Sequence, residues 1–152
     1  MIIEYSRVRD KVTPPTRANP SDAGLDVFFC PENNESVEIG PGENSLLQTG
    51  LRFGIPHGFM LQVMNRSGVA AKRCLVVGAH CIDSGYDGEV FIDLHNVGTT
   101  QQYVEPGTKI AQLVMVPVVH FRAMETHNGD LYGWETITMS NRGEGALGST
   151  GE

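Results

Sequence analysis

The chain is poor in the features that define several large protein classes. It has only 3 cysteines, Cys30, Cys74 and Cys81, and no CxxC pair. An odd count without metal-ligand spacing argues against a disulfide framework and against a structural zinc site. Reduced cysteines in or near a core are expected, and with them a cytoplasmic location (the host cytoplasm if the protein is viral). No apolar run approaches the roughly 20 residues that a membrane span needs. The start, MIIEYSRVRD, has no basic stretch followed by a long apolar one, so no secretory leader is expected. Positive charge is also scarce, 11 Lys+Arg against 18 Asp+Glu, a net charge of −7. That balance argues against broad nucleic-acid binding but leaves room for a small anionic ligand held by a few clustered cations. Neither nucleic acid nor membrane is expected as a partner. The five histidines, His57, His80, His95, His120 and His127, show no HxxxH or HExxH spacing, and there is no GK[ST] or GxSxG.

Glycine and proline are plentiful, 18 and 8 in 152 residues, a length that fits one domain able to bury a core without disulfides. They punctuate short runs rich in Val, Ile, Leu and Phe: LDVFF (25–29), SVEI (36–39), SLLQTGLRFGI (45–55), FMLQVM (59–64), CLVVGA (74–79), EVFIDLHNV (89–97), QQYVE (101–105) and KIAQLVMVPVVHF (109–121). Many short strands separated by turns read as an all-β barrel or sandwich. In EVFIDLHNV, Val90, Ile92 and Leu94 alternate with Phe91, Asp93 and His95, the period of a half-buried strand. The spacing predicts one short helix, SGVAAKR (67–73), with Ser67 placed to cap it. There is no βαβ rhythm and no internal repeat.

Four stretches carry candidate chemistry. Asn65-Arg66-Ser67-Gly68 through Arg73 offers a forked cation, a hydroxyl and an exposed backbone N–H, though the same residues would suit a solvated basic turn. In Ile82-Asp83-Ser84-Gly85-Tyr86, Asp83 is either a turn former or a strand-end carboxylate able to orient and deprotonate a water. Tyr86 could stack on a flat ring or sugar face. Gln112 is a lone polar residue in an apolar strand, and its amide needs either the backbone or a ligand. Finally, 126–152 turns Gly-, Ser- and Thr-rich. It reads either as a loose tail or as an anion loop with donors from Ser149, Thr150 and Arg142.

The order of these stretches resembles that of the trimeric dUTP pyrophosphatases, the dUTPases. Five motifs follow one another: Ala23-Gly24-Leu25-Asp26; Arg66-Ser67-Gly68 with Ala-Ala-Lys; Gly78 to Gly88, centred on Ile82-Asp83 and Tyr86; Gly107 to Leu113; and Arg142-Gly143-Glu144-Gly145 with Gly148-Ser149-Thr150-Gly151. The resemblance implies a distorted jelly-roll-like β-barrel over 1–125. It implies a flexible C-terminal arm over 126–152, and a homotrimer whose three sites lie between subunits. It implies hydrolysis of dUTP to dUMP and pyrophosphate, which keeps uracil out of DNA. It implies that Asp83 activates the water. Tyr86 would pack on the deoxyribose, where a 2′-hydroxyl would clash. Arg66, Ser67, Gly68 and Gln112 would hold phosphate. The hairpin backbone near His80, Cys81, Ile82 and Phe91 would read uracil. Arg142, Leu147, Gly148, Ser149 and Thr150 would close over the site, and Asp26 would support the site or the trimer interface. Mg²⁺ would be held through the triphosphate and waters, not directly by protein ligands.

Three positions depart from the family pattern. Leu147 stands where a Phe usually stacks on uracil, which gives up an aromatic stacking term of about 1–3 kcal/mol per base. Gly85 replaces a common Asp, and His80 a common small residue. Ala79-His80 and Ser84-Gly85 are similar to the related dCTP deaminases, which makes a deaminase or bifunctional enzyme the alternative. Deaminases, however, place a Glu about where Asp93 stands, a Ser at Gly68 and an Arg at Lys72. A nucleotide-binding module without turnover is the non-enzymatic alternative.

Overall fold

The computed structural model describes residues 1–127, 129 and 131. Met1–His120 form one compact unit and Phe121–Glu152 a second. The first holds strands β1 (Tyr5–Arg7), β2 (Leu25–Phe28), β3 (Val37–Ile39), β4 (Asn44–Gln48), β5 (Leu51–Phe53) and β6 (Phe59–Met64). Helix α1 (Ser67–Arg73) follows, then β7 (Leu75–Val77), β8 (Cys81–Asp83), β9 (Phe91–Asn96), β10 (Gln102–Val104) and β11 (Lys109–Pro117). Every strand pairing described is antiparallel. The expected all-β class holds. Among the described residues the ladders form four sheets, β1-β5, β10-β3, β2-β11-β6-β8 and β4-β9-β7, and do not close into one continuous barrel.

The apolar alternation read from the sequence decides which face is buried. On β9, Ile92, Leu94 and Asn96 are at most 1% exposed, while Phe91 is 43% exposed. Leu47, Leu75 and Leu94 bring the three strands of that sheet into a core shared with Val27, Leu61, Leu113 and Ile110 of the four-stranded sheet. The run 45–55 is two strands, broken at Thr49-Gly50. Gly50 has φ +70°, and a Cβ there would overlap the side chain of Val12, so the corner needs glycine. Buried Thr49 satisfies the corner by donating to the Val90 carbonyl at 2.6 Å.

Helix α1 lies where the spacing put it, with one correction. Its N-cap is Arg66, with no side-chain cap hydrogen bond. Ser67 is already the first helical residue, so its hydroxyl does not cap and stays exposed. Cys74 ends the helix in the left-handed conformation, φ 53°, and the chain enters β7 at once. No helix among the described residues is long and apolar enough to cross a membrane. The cysteines are free: Cys30 is buried, Cys74 half-buried and Cys81 exposed.

Ile92 is fully buried at the centre of the core. Ile92→Ala is expected to lower unfolding free energy by about 2–5 kcal/mol. Urea denaturation checks this, and a loss below about 1 kcal/mol would mean the site collapses without a cavity.

Candidate active site

Two separate cavities carry the candidate residues. The first lies where β6 runs into α1. At the junction, Asn65 Oδ1 accepts the Val77 N–H at 2.7 Å, and the Asn65 carbonyl accepts Gln112 Nε2 at 2.8 Å. On β11, Gln112 stands opposite both Asp26 of β2 and Met64 of β6. This register brings Asp26 and Gln112 to one face beside Arg66. Gln112 therefore has a backbone partner and also lines the cavity. Gly24 makes room for it, because a Cβ at that position would overlap the Gln112 amide.

Asp26 is only 8% exposed. Its Oδ1 accepts Arg66 Nε at 2.8 Å and its Oδ2 accepts Lys109 Nζ at 2.9 Å. The cavity, about 590 Å³, is lined by Asp26, Arg66, Ser67, Gly68, Lys72 and Gln112 among others. Arg73 and Lys109 also reach it, against only Asp22 and Asp26 of opposite charge. Arg73 is held by Gln102 Oε1 and the Tyr103 carbonyl. Lys72 makes no hydrogen bond or ion pair among the described residues. A concave surface with this surplus of cations suits a polyanion such as a phosphate chain.

The second cavity, about 230 Å³, is lined by Cys81, Ile82, Asp83, Tyr86, Glu89, Val90 and Phe91. Asp83 is the last residue of β8 and is exposed. The chain then turns, with the Tyr86 N–H donating to the Asp83 carbonyl at 3.3 Å and Gly85 at φ +85°. That left-handed position suits glycine better than the aspartate common in the family pattern. Tyr86 donates its hydroxyl to the Glu89 carbonyl at 2.8 Å, which leaves the ring face for a ligand. The turn is anchored from outside. Glu89 pairs with Arg9 at 2.7 Å and accepts the Gly50 N–H at 2.8 Å, and the Glu89 hydrogen bond raises the Arg9 pKa above its ordinary value. Partial desolvation, reinforced by the Asp83 carboxylate 3.4 Å away, holds the Cys81 thiol above its usual pKa, so it is not an activated nucleophile.

The two cavities share no lining residue. Arg66, Ser67, Gly68, Gln112 and Asp26 come together in the first; Cys81, Ile82, Asp83, Tyr86 and Phe91 in the second. His80 lines neither, and its Nδ1 lies 3.1 Å from the Val63 carbonyl. Arg142, Leu147, Gly148, Ser149 and Thr150 lie outside the described residues. Among the described residues, no group of three or more His, Cys, Asp or Glu side chains is placed to hold a metal. Sequence reasoning missed Lys109 as a partner of Asp26, a contact between residues 83 apart that no local pattern signals.

Asp93, the counterpart of the deaminase Glu, lines neither cavity. Burial favours its neutral form, but hydrogen bonds to Asn44 Nδ2 at 2.8 Å and His95 Nε2 at 2.9 Å outweigh this and lower its pKa. A carboxylate held ionised in this way is poorly suited to shuttle protons at a ring.

A cation-lined cavity and a separate carboxylate–tyrosine turn on a β scaffold are the parts of a nucleotide phosphohydrolase. The chain belongs to the dUTPase family, whose model matches residues 10–151. It is 38% identical to the deoxyuridine 5′-triphosphate nucleotidohydrolase of Chlamydia trachomatis serovar L2, over 91% of this chain and 90% of that one. The structure is similar to that of the Staphylococcus bacteriophage 80alpha dUTPase with dUPNHPP (26% identity, 99% of each chain, TM-score 0.83). It also shares its fold with a phage phi11 dUTPase of S. aureus, described with a structural Mg(II) ion (24% identity, 84% of this chain and 97% of that one, TM-score 0.75).

Gly24→Ala would push Gln112 out of the first cavity. Turnover of the phosphorylated substrate is expected to fall by about a hundredfold, the effect of an ångström-scale misplacement, with circular dichroism unchanged. Full activity would show that the position of Gln112 is immaterial.

Proposed function

We propose that this protein hydrolyses dUTP to dUMP and pyrophosphate, in a site completed between copies of the chain. One observation carries the reading: each cavity holds half of the machinery. The first has cations and donors for phosphate, but among the described residues its two carboxylates are engaged, Asp26 by Arg66 and Lys109 and Asp22 by Asn19. The second has an exposed carboxylate and a sugar-sized aromatic face, but no cation among its lining residues. Neither alone can hold a triphosphate and attack it; a homotrimer that faces one cavity with the other can.

Membership of the dUTPase family and the dUTP analogue bound in the phage 80alpha enzyme support dUTP as the substrate. In this reading Asp83 orients a water for in-line attack on the α-phosphate and takes its proton. The Tyr86 ring packs on the deoxyribose and excludes a 2′-hydroxyl. The backbone around Cys81, Ile82 and Phe91 reads uracil. Arg66 presents its terminal guanidinium nitrogens, Ser67 its hydroxyl and Gly68 its N–H to the phosphates, with Gln112 beside them. Arg142, Ser149 and Thr150 would close on the terminal phosphates, with Leu147 and Gly148 over the base.

Mg²⁺ is the expected cofactor. Asp26, the buried carboxylate of the phosphate cavity, already accepts two cations. The donor set thus fits an ion carried by the triphosphate oxygens and waters, rather than a protein cage. When bound it would neutralise phosphate charge. The setting we propose is cytoplasmic, with no nucleic acid or membrane as partner.

Pyrophosphate and ammonia are to be measured together, with Mg²⁺, on dUTP, dCTP, UTP and dTTP in turn. The expected result is pyrophosphate from dUTP alone and no ammonia. Asp83→Asn should lower the rate by about 10²–10⁴-fold, the usual share of a general base, yet still bind a non-hydrolysable dUTP analogue. Ammonia from dCTP would support a deaminase, and analogue binding by the wild type without turnover a binding module.

A further inference from the structure

The β11 ladder contains one irregularity, and it lies at the phosphate cavity. Gln112 opposes Asp26 and Ala111 opposes Val27, so a regular ladder would set Ile110 opposite Phe28. Instead Lys109 stands there, with a register shift between Lys109 and Ala111. Ile110 and Ala111 are both buried, 1% and 0% exposed. Alternation puts Asp26 and Phe28 on one face of β2. The bulge therefore re-aims Lys109 onto the Asp26 face in place of an apolar residue. There its ammonium is held twice, 2.9 Å from Asp26 Oδ2 and 5.7 Å from the centre of the Phe28 ring.

We propose that Lys109 is a positioning residue that keeps the Arg66 fork directed at phosphate, an inference that rests on the phosphate-binding role proposed for Arg66. Arg66 uses only Nε on Asp26, and its two terminal nitrogens make no hydrogen bond among the described residues. A carboxylate prefers to take a guanidinium through both oxygens. Asp26 would do this here, but Lys109 occupies Oδ2. Without Lys109, a buried oxygen loses its donor, a loss that the structure does not leave uncompensated. Arg66 then turns to supply it, and a terminal nitrogen leaves the cavity. Lys109 thus acts through Asp26 and Arg66 and has no need to touch the substrate.

The test is Lys109→Met, with Lys109→Gln in reserve should the first variant lose the fold, and Lys109→Arg as the conservative rescue. The KM for dUTP is expected to rise about tenfold, the weight of one hydrogen bond to a charged group, while kcat changes by less than about threefold. The Kd for inorganic tripolyphosphate, measured by calorimetry, should rise by the same factor, and Lys109→Arg should restore both. In an Asp26→Asn background Arg66 is no longer drawn to a charge, so Lys109→Met should add no further loss. Unchanged KM and Kd, equal loss in kcat and kcat/KM, additive losses in that background, or a lowered Tm with intact binding would each overturn the proposal. The tripolyphosphate titration keeps the two readings apart: should the wild type fail to hydrolyse dUTP, it still reports whether Lys109 governs the fork.

Discussion

A carboxylate as buried as Asp26 is costly to keep charged unless its partners sit well and satisfy both oxygens. Here one oxygen takes Arg66 and the other Lys109. The three groups come from three parts of the chain: β2, the turn into α1, and the bulge of β11. A shift of any one of them would break a contact to the buried carboxylate. The arrangement ties together the walls of the first cavity, which sits at the junction of a short helix and three strands. It also explains why the cavity stays positive overall: one carboxylate is shared by two cations, and Lys72 stands beside them without a partner of its own among the described residues.

The second cavity is held by a different device. Its turn protrudes at the end of β8, where a loose chain would leave the Asp83 and Tyr86 positions undefined. The Arg9–Glu89 pair ties it to the N-terminal segment, and the Gly50 corner ties it to the core. Arg9 also donates to the Cys30 carbonyl at 2.7 Å, so the anchor reaches the start of the loop after β2. Both cavities are preorganised by half-buried ion pairs placed behind the residues that would meet the ligand. That arrangement suits a site that must bind charge without rearranging.

Much of this was legible in the sequence because it is local. The eight apolar runs contain nine of the eleven strands, and the pattern of β9 gave the buried face residue by residue. SGVAAKR is the helix, but Ser67 is its first residue and not its cap: one residue separates N-cap from N1, and hydrogen-bond geometry alone distinguishes them. β1 and β8 were not read as strands because Tyr5–Arg7 and Cys81–Asp83 are short and carry no apolar run. Arg66, Asp83, Tyr86 and Gln112 stood out by residue type. What stayed hidden was long-range: the Lys109–Asp26 contact, the close approach of the Gln112 side chain to Gly24, and the Arg9 anchor. A bulge has no sequence signature of its own in KIAQLVMVP, so the re-aiming of Lys109 needed the register of β2.

In the proposed mechanism the two cavities serve one reaction only when different copies of the chain meet. Subunit mixing tests it most directly. Arg66→Ala and Asp83→Asn are each inactivating in the proposed mechanism, and each leaves the other cavity intact. The two inactive proteins are unfolded together, refolded as a mixture, and assayed for pyrophosphate release from dUTP. In randomly mixed symmetric assemblies, about a quarter of the sites would pair an intact Arg66 with an intact Asp83. The account predicts recovery to about that fraction of wild-type activity. A mixture as inactive as its two components would contradict it, because each chain would then have to supply both halves of its own site.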